Sequence, residues 1–239
     1  MMHAMEARKS LAAALVLLLL WVEAGFAQSK QKTHANPGEK IEVVGWRTAT
    51  RPFDELTENA SVAQISMAAG NEKAANLLAS IQASTKFLRD RWTHSMQHQP
   101  IPKTYVESLQ LDADTLGGLV ARKLNAADAI AILQDVADDL EIKAAHCKAS
   151  PKGWASVISV NVNTIKQGNA IAGLEVWYVP KGWADVPDRW MRCAKLSSPA
   201  VAEQLPPGNY MVRVASGRPV PVKIGGNGKD EQSVDLLAP

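Results

Sequence analysis

Hydrophobic residues recur along the chain with two different periods, and the change between them divides the sequence. Between residues 52 and 148 they return every three to four positions, so that Ala74, Leu78, Ile81, Leu88 and Trp92 would share one face of an amphipathic helix. Between residues 153 and 239 they alternate with polar residues, which is the period of a strand with one buried face. The pattern predicts an α+β protein with an N-terminal helical region and a C-terminal antiparallel β-sandwich.

Glycines, prolines and capping residues set the expected helix bounds. We expect one helix that ends near Gln97, or two helices if Gly70 breaks it. Two prolines follow that helix, and a second helical pattern begins after Asp112 or Asp114. Asn125 is a suitable N-cap for a third helix.

Alternation in the last third of the chain predicts several strands. Tight turns are expected where glycine and asparagine cluster, above all at Asn227 and Gly228, which would join the last two strands in a hairpin. The expected strands include residues 158–162, 174–179, 210–214, 220–224 and 233–237.

The first residues have the order of a secretory signal peptide. Arg8 and Lys9 precede an apolar run from residue 11 to residue 21, and small residues stand at Gly25 and Ala27. A run this short predicts a cleaved leader, residues 1–27, since a spanning helix takes about 20 apolar residues; an uncleaved signal anchor is the alternative. We therefore expect a secreted or periplasmic protein without membrane insertion after cleavage. Residues 28–51 are polar and basic and predict a linker, interrupted by a short strand at residues 41–46 that would dock on a folded part.

Charge and cysteine content limit the classes of function. The formal net charge is +2, which gives no concentrated basic surface of the kind that nucleic-acid binding requires. Cys147 and Cys193 are the only cysteines, and in an oxidising compartment they could form a disulfide; the alternative is two separately buried thiols. Two cysteines alone cannot supply the four ligands of a structural zinc site.

One segment carries a resemblance to a known family. Leu205, Pro206, Pro207, Gly208 and Tyr210 form a Leu-Pro-Pro-Gly-Xaa-Tyr sequence that opens a strand. Together with the preceding strand, it resembles the transthyretin-like, Greek-key β-sandwich of carboxypeptidase regulatory-like modules in secreted bacterial proteins. The resemblance covers about residues 154–239. It implies a non-catalytic binding or structural role at the cell envelope, with the tyrosine packed inward.

Candidate catalytic patterns fail on their neighbouring residues. His94 and His98 have helical spacing, but Ser95 stands where a metalloprotease pattern requires glutamate. The glycines before Lys229 suggest a phosphate loop, but Asp230 follows where a hydroxyl residue would hold magnesium. We therefore expect no enzyme, no metal and no cofactor.

Tryptophan is the remaining candidate for function. If the strand alternation holds, Trp177 points away from the core and lies beside a loop with Trp183 and Trp190, with Glu175 and Asp185 nearby. Such rings could anchor a protein partner or stack on the sugars of a polysaccharide. The alternative is that the helical region covers this face and buries Trp177.

Overall fold

The computed structural model describes residues 42–95, 101–122, 124, 126–151, 157–193 and 200–239. These residues belong to a compact unit that extends from Thr33 to Pro239. The expected signal peptide (1–27) and residues 28–41 of the expected linker lie outside the described residues.

Four helices form a bundle in the first part of the unit. They are α1 (Trp46–Met67), α2 (Glu72–Ser95), α3 (Lys103–Ala121) and α4 (Ala126–Ala149). Helix α1 packs against α2 and α3, and α4 packs against the same two helices, so the four surround one bundle core. The large buried side chains of that core include Phe53, Leu56, Leu78, Ile81, Leu88, Trp92, Tyr105, Leu109, Leu116, Leu133 and Leu140.

Local sequence explains the break between the first two helices. Gly70 has a φ of +77°, a left-handed conformation that glycine adopts without strain. The side-chain carbonyl of Asn71 accepts the backbone N–H of Ala74 at 3.1 Å and thereby caps α2. Of the two alternatives that the sequence left open, two helices separated at Gly70 is the one observed. Helix α1 begins at Trp46, within the expected linker, and Pro52 inside it conceals the helical pattern from sequence inspection.

Helix α3 begins earlier than the sequence predicted. It starts at Lys103, directly after Pro102, rather than beyond Asp112. A short antiparallel pair precedes it, formed by β1 (Val43–Val44) and β2 (Ile101–Pro102). The ammonium group of Lys103 lies 2.9 Å from a carboxylate oxygen of Glu42, across this pair. The expected short strand therefore exists and docks on the entrance to α3.

Eight further strands form two sheets. They are β3 (Ile158–Lys166), β4 (Asn169–Ala170), β5 (Val176–Pro180), β6 (Met191–Arg192), β7 (Ala200–Leu205), β8 (Gly208–Val214), β9 (Val220–Ile224) and β10 (Glu231–Leu237). In the first sheet β3 pairs with β10 on one side and with β4 and β7 on the other; the second sheet has the order β6-β5-β8-β9. Inward side chains from both sheets meet in one sheet core, which confirms an α+β protein.

The strand arrangement corrects two expectations. Strand β10 runs parallel to β3, with Glu231 beside Ser159 and Leu237 beside Ile165, so the first sheet is mixed rather than antiparallel. The expected hairpin at Asn227 is also wrong, because β9 belongs to the second sheet and β10 to the first. The chain between them crosses from one sheet to the other.

Close packing requires glycine at two positions of this crossing, Gly225 and Gly228. Gly225, Gly226 and Gly228 all have positive φ angles, of 87°, 86° and 73°. At Gly228 an added Cβ would collide with the backbone of Ala149 at the end of α4. At Gly225 it would lie 2.8 Å from the ring of Pro207. The glycine run that superficially suggested a phosphate loop thus lets the chain pass over the helix end.

A buried ionic group joins the bundle to the second sheet. Lys143 of α4 is fully buried, and its ammonium group lies 2.9 Å from a carboxylate oxygen of Asp112 on α3. The same ammonium group bonds Asp139, one turn earlier on α4. Asp139 in turn accepts the backbone N–H of Asn209, at the start of β8, at 2.6 Å. We call Asp112, Asp139 and Lys143 the buried triad.

Burial changes the protonation equilibria of the triad. Burial raises the pKa of Asp112 to about 8; the positive charge of Lys143 opposes this rise and the neighbouring Asp139 adds to it. Burial alone would lower the pKa of Lys143, but attraction to Asp112 and Asp139 outweighs it, so that pKa is raised. Asp112 is therefore mainly protonated at neutral pH, while Lys143 keeps its charge.

Replacing Gly208 with alanine should destabilise the protein. An added Cβ would lie 2.6 Å from Oδ1 of Asp139, which cannot retreat without breaking its bonds to Lys143 and Asn209. We expect Gly208→Ala to lower the free energy of unfolding by about 1–3 kcal/mol, measured by urea denaturation.

Gly118 of α3 provides the matched control, because no atom lies within 4 Å of the added Cβ there. Gly118→Ala should raise the free energy of unfolding by about 0.5–1 kcal/mol, since alanine favours the helix. If Gly208→Ala and the wild type had the same free energy of unfolding, the close approach of residue 208 to Asp139 would be contradicted.

The buried triad should make stability depend on pH in a defined direction. Because the pKa of Asp112 is raised in the folded state, the folded protein holds a proton that the unfolded chain releases. The free energy of unfolding of the wild type should therefore fall, relative to Asp112→Asn, by up to about 1.4 kcal/mol per pH unit between about pH 4 and 8. Denaturant titrations of both proteins at several pH values measure this difference.

Subtracting the two free energies of unfolding cancels the contribution of groups that titrate in both proteins. One such group is His146, whose pKa is lowered by burial. Asp135→Asn is the control, because Asp135 is a half-exposed carboxylate paired with Lys181. That variant should follow the wild-type pH trend. A constant difference between the wild type and Asp112→Asn across this range would show that Asp112 does not hold the proton.

Candidate functional site

A row of large side chains crosses the outward side of the second sheet. Trp177 of β5 stands opposite Arg192 of β6 on one side and Arg213 of β8 on the other. Its chain neighbours Val176 and Tyr178 are buried in the sheet core. Because side chains alternate along a strand, Trp177 points away from that core, as the sequence predicted.

Arg213 contacts two indole rings. Its guanidinium carbon is 5.5 Å from the centroid of the Trp177 ring and 4.7 Å from that of Trp190. Both distances are within the range of cation–π attraction. The indole N–H of Trp190 donates to the carbonyl of Ala184 at 3.1 Å, which holds this ring in place. Arg213 therefore stacks on two tryptophans.

The adjoining loop carries a second pair of the same kind. The guanidinium carbon of Arg189 lies 4.5 Å from the centroid of the Trp183 ring. The loop is attached to the bundle through Lys181, which pairs with Asp135 of α4. We call Trp177, Trp183, Trp190, Arg189, Arg192 and Arg213 together the tryptophan–arginine face.

The predicted acidic residues occupy different positions. Glu175 accepts a hydrogen bond from the guanidinium of Arg192 at 3.0 Å, so it lies within the row. Asp185 is exposed in the loop and contributes a carboxylate at its surface. Trp177, Trp183 and Trp190 are each half-buried, so none is a core residue and none is fully exposed.

Sequence inspection missed the arginines of this face. Arg213 follows directly from the alternation that buries Val212 and Val214, so its outward position could have been predicted. Its place beside Trp177 could not, because cross-strand register depends on how β5 pairs with β8. The ion pair of Arg192 depends on register in the same way.

The cysteines do not form the expected disulfide. Cys147 is part of the bundle core and Cys193 is part of the sheet core, and each is a buried thiol. Burial raises the pKa of the Cys147 thiol and raises that of Cys193 to about 12. A disulfide would require the two separate cores to meet at one point, so the alternative of two buried thiols holds.

The other titratable groups in the described part of the chain lie in separate places. The triad residues Asp112 and Asp139 line a cavity of about 30 Å³, which is room for about one water molecule. His94 is exposed and its ring bonds the carbonyl of Asp90 in its own helix, while His98 lies outside the described residues. Among the described residues there is no group of three or more histidine, cysteine, aspartate or glutamate side chains placed to hold a metal ion.

Comparison with known proteins gives no match: no family model, no curated protein and no solved structure is similar to this chain. Of the helices in the described part of the chain, none combines the length and apolar character needed to cross a membrane. Function is therefore inferred from the geometry of the tryptophan–arginine face.

Both thiols should be unreactive in the folded protein and free of each other. We expect iodoacetamide to modify neither Cys147 nor Cys193 under native conditions, because both are buried and neither readily ionises. After unfolding in guanidinium without a reductant, both should become modified, as measured by the mass of the intact protein. If modification of the unfolded chain required a reductant, a disulfide would be present after all.

Proposed function

We propose that this chain is a secreted, non-catalytic binding or structural module of the cell envelope, which engages a protein partner through the tryptophan–arginine face. The observation that carries the proposal is the grouping of three half-buried tryptophans with three arginines on one sheet and its loop. Tryptophan and arginine are the residues most enriched among those that dominate protein–protein binding energy.

The arrangement of the rings favours a protein partner over a polysaccharide. Sugar binding uses open aromatic rings that act as a platform, whereas Arg213 lies against both Trp177 and Trp190. Trp183 is likewise covered by Arg189. Mixed charged and aromatic surfaces with partly covered rings are typical of the anchors of a protein interface. Carbohydrate binding by the same rings remains the alternative function.

We also propose that the two sheets form a Greek-key β-sandwich of the transthyretin-like type. Two observations support this. Tyr210 of the Leu-Pro-Pro-Gly-Xaa-Tyr segment is buried in the sheet core, and its hydroxyl donates to the carbonyl of Pro206 at 2.9 Å. The ring of Tyr210 also packs edge-on against Tyr178, with centroids 6.4 Å apart. An inward tyrosine is what the resemblance implies.

A non-catalytic role is supported by where the perturbed groups lie. The groups whose pKa is raised by burial lie inside the two cores or at the contact between bundle and sheet, such as Asp112, Cys193 and Tyr210. None of these three groups lines a cleft of substrate size. The proposed location at the envelope is supported by the order of charged, apolar and small residues in the leader.

Photo-crosslinking tests the proposed interface. Trp183 would be replaced with benzoylphenylalanine in cells that produce the protein, and the matched control would carry the same group at Ile65, an 83% exposed residue of α1. We expect a discrete adduct of higher mass from position 183 and none from position 65, read on denaturing gels and identified by mass spectrometry. Identical adducts from both positions, or none from position 183, would contradict the proposed function.

Titration of tryptophan fluorescence with cell-wall and plant polysaccharides tests the alternative. We expect no saturable change for the wild type. A saturable change that disappears in both Trp177→Ala and Trp183→Ala would establish carbohydrate binding in place of the protein partner.

A further inference from the structure

Arg213 is a cation whose hydrogen-bonding groups are unused within the described residues. A guanidinium carries five N–H donors, yet Arg213 makes no hydrogen bond or ion pair with any described residue; its contacts are the two indole rings. Its Nε is enclosed and lacks an acceptor, whereas its two Nη nitrogens are not enclosed. The open donors therefore lie at the tip of the guanidinium, away from the strand.

The neighbouring arginine shows that this state is specific to Arg213. Arg192, on the other side of Trp177, is half-exposed and pairs with Glu175 at 3.0 Å. Glu175 is thus committed to Arg192, and Arg213 faces no carboxylate among the described residues. The charge of Arg192 is neutralised by Glu175, whereas the charge of Arg213 is left for an acidic group of another molecule.

We propose that the stack of Trp177, Arg213 and Trp190 is a receptor for a single carboxylate, an aspartate or glutamate side chain on an acidic segment of the protein partner. This inference rests on the proposed function and names the chemistry that the partner presents. A carboxylate offers two oxygens at the spacing of two guanidinium N–H groups and accepts both bonds in one plane.

The two indole rings limit how a ligand can approach Arg213. Its guanidinium carbon lies 5.5 and 4.7 Å from the two ring centroids, and its Nε is enclosed, so a ligand reaches only the Nη donors. A carboxylate can accept two parallel hydrogen bonds from such a pair of donors.

The two rings prepare the guanidinium for this contact. They fix its orientation before the partner arrives, so less side-chain freedom is lost on binding. They also exclude water from the part of the guanidinium that they cover, which strengthens a charged hydrogen bond at its Nη donors. The indole N–H of Trp190, bonded to the carbonyl of Ala184, keeps one ring in position.

Binding of a model peptide tests the inference. The probe is an acetylated and amidated tetraglutamate peptide, with the corresponding tetraglutamine peptide as the uncharged comparison, titrated against tryptophan fluorescence of the full chain. We expect saturable binding of the glutamate peptide alone, weakened about tenfold or more in Arg213→Gln because the bidentate contact is lost. Arg213→Lys, which keeps the charge but loses the fork, should also weaken binding, by a smaller factor.

Arg89→Gln is the control, because it removes a half-exposed arginine of α2 that lies outside the tryptophan–arginine face and is paired with Asp54. It should change the affinity by less than about twofold, as expected for an exposed pair. Thermal unfolding followed by circular dichroism verifies that each variant is folded, and Arg213→Lys provides the comparison if Arg213→Gln is not. Equal binding of the two peptides, or equal losses in Arg89→Gln and Arg213→Gln, would overturn the inference.

The crosslinking experiment separates this inference from the function on which it rests. If Arg213→Gln gives the position-183 adduct in unchanged yield, the carboxylate receptor is wrong and the proposed function stands. If the wild-type background gives no adduct at all, the proposed function itself is wrong. Loss of the adduct in Arg213→Gln with retention in Arg89→Gln supports both.

Discussion

The burial of Lys143 constrains the rest of this structure. An ammonium group inside a protein is tolerated only when opposite charge and hydrogen bonds compensate for the lost water. Here the ion pair with Asp139 and the hydrogen bond to Asp112 supply them. The two carboxyl groups come from different helices, so their convergence fixes how α3 lies against α4. Asp139 also holds the backbone of Asn209, so the start of β8 is fixed by the same charge. Removing Asp139 would leave an uncompensated buried charge, at a cost of about 3–5 kcal/mol.

Strand β8 connects this constraint to the candidate site. One end of the strand is anchored to the buried triad at Asn209, and the other end carries Arg213 in contact with its two rings. Between them, Tyr210 and Val212 fill the sheet core. A single strand therefore contains the anchor to the bundle, the core and the open cation. The tryptophan–arginine face is consequently presented by a rigid element whose position is set by the helices.

Local sequence patterns predicted the helices and strands. The sheet topology depends on pairing between distant residues, which those patterns do not contain. The break at Gly70 and the inward direction of Val176 and Tyr178 depend on neighbouring residues, so they followed from the sequence. Asn227 and Gly228 also satisfied a local rule for a hairpin, yet β9 pairs with the preceding strand β8, and β10 pairs with β3, far away in the chain. The glycines of this segment are there because the chain passes closely over the end of α4, not because it forms a tight turn.

The same limit applies to the site. Sequence alone indicated that Trp177 points outward, because that requires only alternation along one strand. It did not indicate that Arg213 would lie beside it, or that Asp112, which resembled a helix-start residue, would lie against a buried ammonium group on another helix. Ion pairs and ring stacks across elements depend on register and packing, which no local window contains.

The parallel pairing of β3 with β10 has a kinetic consequence. The central strand of the first sheet cannot acquire its last neighbour until residue 237 is available, about 70 residues after β3 has been synthesised. Contacts so distant in sequence form slowly, and until then one edge of β3 is open to pairing with other chains. The first sheet should therefore be the last part of the molecule to fold and the part most in need of protection before it does.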